Sequence, residues 1–77
     1  MKYDRIKIDH PRASSDAYTF TLRDRIYYVL RYKHSKYDYY LWSVQEDPQA
    51  RASVGHGRTR EEAVSLAIEE IYRRLAI

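Results

Sequence analysis

Only one stretch of this chain carries helical periodicity, and it comes last. Thr59 and Glu62 have the T-x-x-E spacing of a capping box, in which each side chain satisfies a backbone amide left without a partner at a helix start. Beyond it, Val64, Ala67, Ile68, Ile71 and Leu75 fall on one stripe, while Glu61, Glu62, Ser65, Glu69 and Arg73 lie mostly away from it. Leu66 falls opposite the stripe, near Ala63 and Glu70. Acidic residues at the start and Arg73 with Arg74 near the end suit the helix dipole. A single stripe buries a single face, so whatever precedes the helix is covered on one side only.

What precedes it alternates with period two. Ile6 and Ile8 oppose Arg5 and Lys7 in a short strand from Tyr3 to Ile8, and HPRASSD follows as a loop. Tyr18, Phe20 and Leu22 alternate with Thr19 and Thr21, the pattern of a half-buried strand. After the charged turn RDR, the run IYYVLRYK puts Ile26, Tyr28, Leu30 and Tyr32 on one face and Tyr27, Val29, Arg31 and Lys33 on the other. The two cations mark the latter as the wetter side, so the even-numbered face is expected in the core. Residues HSK turn the chain into a strand from Tyr37 to Glu46, where Tyr40, Trp42 and Val44 share one side and Tyr37, Tyr39 and Leu41 the other. Pro48, which lacks an amide donor, ends the sheet. A short strand over Arg51 to Val54 is expected before Gly55-His-Gly57, where glycine accepts positive φ at little cost.

The expected fold class is therefore α+β: an antiparallel sheet of three to five strands with one C-terminal helix packed on one face. At 77 residues the chain is one domain, with residues 1–25 as an N-terminal strand or hairpin extension and residues 26–77 as a βββα unit. So small a domain has little room for a deep enzymatic cleft.

Composition narrows the function classes. There is no cysteine, which excludes a disulfide framework, a thiolate metal site and a cysteine nucleophile. The charged N-terminus is unlike a signal peptide, and no segment approaches the roughly 18 apolar residues that span a membrane; the expected location is cytoplasmic. His10, His34 and His56 fall in three separate loops without metal-ligand spacing, and no serine has an evident base beside it. Neither a metal, a cofactor nor catalysis is expected. A net charge of +3 permits nucleic acid or an acidic protein as partner without requiring either.

The uncovered sheet face is thus the place to look for function. On the assignment above it presents Tyr27, Arg31, Lys33, Tyr37, Tyr39 and Leu41, with Val29 among them. Aromatic rings beside cations suit unpaired bases, which stack at roughly 1 to 3 kcal/mol each, and equally suit protein interface hot spots, rich in Tyr and Arg. Tyrosines across neighbouring strands also stabilise a small sheet with no further role.

Residues 27–71, YYVLRYKHSKYDYYLWSVQEDPQARASVGHGRTREEAVSLAIEEI, resemble the N-terminal domain of HicB-type antitoxins, in which strands rich in aromatic and charged residues lead to G-x-T-x-E-E-A and a helix. The matching positions are Gly57, Thr59, Glu61, Glu62 and Ala63. The resemblance implies a partner-binding half alone, preceded by an extension of 25 residues and with no DNA-binding domain after the helix. The end ASVGHGRTREEAVSLA is also similar to the double-stranded RNA-binding domain, but Glu61 and Glu62 stand where that domain carries lysines, and carboxylates there repel phosphate. The arm-binding domain of phage integrases shares a three-stranded sheet plus helix and lays its open sheet face on DNA.

The expected function is that of a small non-enzymatic binding module, an antitoxin- or phage-type inhibitor that blocks a macromolecular partner such as a toxin or a defence nuclease, a CRISPR complex included. The alternative is a nucleic-acid-binding protein using the Tyr, Arg and Lys face. A protein partner is placed first, no membrane is involved, and the chain is expected as a monomer or homodimer.

Overall fold

The computed structural model describes residues 1–33, 36 and 38–76. Five strands, β1 (Asp4–Lys7), β2 (Asp16–Leu22), β3 (Arg25–Lys33), β4 (Tyr40–Gln45) and β5 (Gly55–Gly57), precede one helix, α1 (Arg60–Leu75). The strands pair antiparallel in the order β1-β2-β3-β4-β5, a simple meander, so the N-terminal extension belongs to the same sheet as the rest. The α+β architecture is the one the alternating runs and the single stripe imply. The expected HSK turn falls largely outside the described residues.

β2 and β3 are joined by Arg23 and Asp24 alone, both at positive φ (54° and 64°), the primed turn whose twist matches a right-handed hairpin. The two central glycines of the β5 region do not take positive φ. Nor is β5 at residues 51–54. It is the Gly-His-Gly stretch itself, paired with Trp42, Ser43 and Val44. Gly55 is needed for a different reason: a Cβ there would stand 2.4 Å from the Ala67 nitrogen and 2.6 Å from the Ala63 oxygen, so β5 lies directly against the helix backbone.

The helix starts at Thr59, which is extended (φ −124°, ψ 157°) and whose hydroxyl accepts the Glu62 amide at 3.1 Å, the Thr59 half of the expected capping box. Ala63, Val64, Ala67 and Ile71 are buried, Ile68 is half-buried, and Leu66 is exposed. Two details differ from the stripe. Ala63 belongs to the core, because its small side chain permits the approach of Gly55, and Leu75, 53% exposed, lies past the end of the core.

The core side of β3 is a correction. Cross-strand partners share a face, and the register pairs Phe20 with Tyr27, and Val29 with both Tyr18 and Val44. Tyr27 and Val29 therefore sit under the helix, at 3% and 0% exposure, with Phe20 stacked on Tyr27 at 5.5 Å between ring centroids. Ile26, expected in the core, is exposed. The parity read for β2 and β4 holds, with Phe20 and Val44 buried beneath the helix.

The opposite face is not bare either. Leu30 and Ala17 are fully buried on it. Two loops fold over its edges. In residues 8–14, His10 accepts the amides of Arg12 and Ala13 on Nδ1 (3.0 and 3.1 Å) and packs edge-on to Tyr32, while Ala13 bridges to Tyr32. In residues 46–54, buried Gln45 donates Nε2 to the carbonyls of Ala50 (2.8 Å) and Asp47 (3.2 Å) and accepts the Tyr32 hydroxyl at 2.9 Å. A polar network thus holds the loop.

Candidate functional site, a cation and aromatic ladder

Because α1 begins at Arg60, it leaves the far ends of β3 and β4 uncovered on its own side of the sheet. The register sets Arg31 opposite Trp42 and Lys33 opposite Tyr40 there. Around them the side chains alternate by charge and ring. The Arg60 guanidinium lies 4.5 Å from the centroid of Tyr3 and 4.7 Å from that of Tyr18. Tyr18 packs against Trp42 at 6.2 Å. The Arg31 guanidinium lies 5.8 Å from the centroid of Trp42 and 4.4 Å from that of Tyr40, and Lys33 Nζ lies 5.8 Å from the Tyr40 centroid. Arg58 stacks on Tyr39 at 4.0 Å beside it.

Each such contact contributes about 0.5 to 1 kcal/mol at an exposed site. Their larger effect is to fix the cations. The Nε atoms of Arg31 and Arg60 are buried with no hydrogen-bond partner, a cost of holding the guanidinium over the rings. A cation held in this way loses less rotamer freedom when it meets an anion, and its planar fork matches phosphate or carboxylate.

Three carboxylates border the ladder and leave it net positive. Asp16 is bonded to Lys7, and that bond and charge, with the further charges of Arg5 and Arg31, hold its carboxyl below the usual range. Lys33 and Asp38 pair at 2.8 Å, which pushes the lysine up and the aspartate down from their ordinary values. Glu61 stands 3.7 Å from Arg60 at the helix start. All three carboxylates are largely in water, where such pairs are weak and open to competition.

The residues expected to share one open face are dispersed. Arg31 and Lys33 are in the ladder, on the helix side, and Tyr39 lies under Arg58. Tyr27 is in the core, and Leu41 belongs to the opposite face with Tyr32. Tyr37 lies outside the described residues. Missed in the sequence were Tyr3, Tyr18, Tyr40, Trp42, Arg58 and Arg60. Cross-strand pairing of Arg31 with Trp42 was the signal available, since both lie two positions beyond a core valine, Val29 and Val44.

No known protein family, curated protein or solved structure matches the chain. The site is therefore read from its own chemistry. Among the described residues, no helix is long and apolar enough to cross a membrane.

On the opposite face a trough of about 720 Å³ runs between the two flanking loops, floored by Tyr32, Leu41 and Ser43. His10 and His56, distant in sequence, both line it.

Proposed function

We propose that this chain is a non-enzymatic binding module that holds nucleic acid against the ladder formed by Tyr3, Arg60, Tyr18, Trp42, Arg31, Tyr40 and Lys33. The observation that carries this reading is the spread of cations over aromatic rings on a stretch of sheet that the helix leaves uncovered. Phosphates meet the guanidinium edges, and bases meet the ring faces that remain open. The position of Glu61 and Glu62 at the helix start favours a ligand lying over the sheet rather than on the helix terminus.

A second reading keeps the inhibitor role that the resemblance to antitoxin domains implies, with a protein seated on the aromatic rings of the same patch. It is favoured by Tyr40, 43% exposed between Arg31 and Lys33, since Tyr and Arg dominate protein hot spots.

Fluorescence anisotropy of a labelled oligonucleotide between about 50 and 200 mM salt separates the two readings, because phosphate contacts release counterions and protein contacts of aromatic type do not. Affinity that falls steeply with salt supports the nucleic-acid reading. No binding at the lowest salt, with a host protein retained on the immobilised chain through moderate salt and released by Tyr40→Ala, overturns it in favour of the second.

A further inference from the structure

The trough on the far face has the chemistry of the ladder without its carboxylates. Arg12 and His10 line it from one loop, Arg51 from the other and His56 from β5, and no Asp or Glu lines it among the described residues. Ser53 and Gln49 add neutral donors above the floor of Tyr32, Leu41 and Ser43. A lining of two arginines, two imidazoles, hydroxyls and the rings of Tyr32 and Trp42 complements a chain of phosphates and bases.

The trough and the ladder also meet. Trp42 borders both the trough and the smaller cavity formed by Tyr18, Arg31, Arg58 and Arg60. Along the chain, His56 lines the former and Arg58 the latter, so the end of β4 and β5 is an edge joining two faces of one sheet, with the Arg58 cation on it.

We propose that the trough is the second half of the same binding surface and that its occupant is a single strand of nucleic acid, which crosses from the ladder around the β4 and β5 end. This rests on the nucleic-acid reading above and narrows it. The body is only 22 to 23 Å across in its two shorter dimensions. A duplex, with a persistence length of about 50 nm, does not bend around an object of that size without large cost, whereas a single strand follows it freely. A duplex reaches one face; a single strand reaches both.

The test compares a labelled oligothymidylate of roughly 12 nucleotides, within the site sizes of small single-strand-binding folds, with a duplex of equal length. Wild type, an Arg12→Ala/Arg51→Ala double variant and Arg31→Ala are measured across salt. Arg12 and Arg51 are exposed, so their removal leaves the fold intact, as thermal unfolding will verify. The expected result is a single-strand preference of at least about tenfold, with the double variant losing about tenfold and its salt slope falling by about 1.4. If the duplex binds as tightly, or if the double variant binds the single strand like wild type while Arg31→Ala still weakens it, the trough is not part of the site and the ladder reading stands. Failure of every variant and of wild type to bind either oligonucleotide overturns both.

Discussion

The guanidinium of Arg31 lies 4.4 Å from the ring centroid of Tyr40, with its Nε buried and without a hydrogen-bond partner. An arginine in this position is worth more to a ligand than to the fold, because stacking holds it in place and the hydrogen bond from its Nη2 to the Ser14 hydroxyl is long, 3.5 Å, and readily exchanged for an anion. Arg31→Ala is expected to weaken oligonucleotide binding about five- to tenfold and lower the salt slope by about 0.7, the value of one phosphate contact on a single strand. Arg31→Lys keeps most of the slope and loses part of the affinity, since a lysine neither stacks as well nor presents a fork. Equal behaviour of the two variants would contradict the stacked geometry.

Glu61 borders the ladder and pairs weakly with Arg60. Glu61→Gln removes a charge that repels phosphate and frees Arg60, so binding is expected to tighten by about two- to fivefold, on the order of the weak exposed pair it dissolves. A loss of affinity in the same anisotropy measurement would place Glu61 in contact with the ligand instead.

The close seating of β5 on α1 makes Gly55 intolerant of any side chain. Gly55→Ala pushes a methyl into the Ala63 and Ala67 backbone, which has no flexible end to move aside. Overpacking of this kind costs about 1 to 3 kcal/mol, and each kcal/mol lowers Tm by roughly 4 to 8 °C in a domain of this size. The nearest atoms to a Cβ at Gly57 belong to the Glu62 side chain, which can turn aside, so Gly57→Ala is expected to cost less. Thermal unfolding by circular dichroism ranks the two.

Tyr32 supplies a dependence on pH. Burial, which penalises the phenolate, holds its pKa above the ordinary value. A group whose folded pKa is raised stabilises the fold fully below its unfolded value of about 10, and that contribution is lost as pH rises through the folded value. Urea unfolding is therefore expected to show wild type losing stability above about pH 10 more steeply than Tyr32→Phe. Parallel losses would mean that the phenol is as well solvated folded as unfolded.

Much of the fold was legible because local signals agreed. The alternation of Tyr18, Phe20 and Leu22, the Thr59 cap and the stripe through Val64, Ala67 and Ile71 each matched their elements. The face of β3 was misread for a physical reason. Its nine residues run about 30 Å against about 24 Å for the sixteen of α1, so one face of the strand is core at Tyr27 and Val29 and surface at Arg31 and Lys33. A cation marks where a strand meets water, not which side does so along its whole length. The candidate site was half legible for the same reason: Arg31 and Lys33 were found, but their neighbours come from β2, β4 and the helix start, which only the register brings together.

The central claim is that ligand lies on the ladder, and Trp42, the one tryptophan of the chain, reports on it directly. In a nitrogen-15 NMR titration with the oligothymidylate, the account expects the Trp42 indole resonance and the Nε resonances of Arg31, Arg58 and Arg60 to move together and saturate at one stoichiometry. Shifts confined to the outer face of α1, around Leu66 and Tyr72, with the Trp42 indole unmoved, would contradict it.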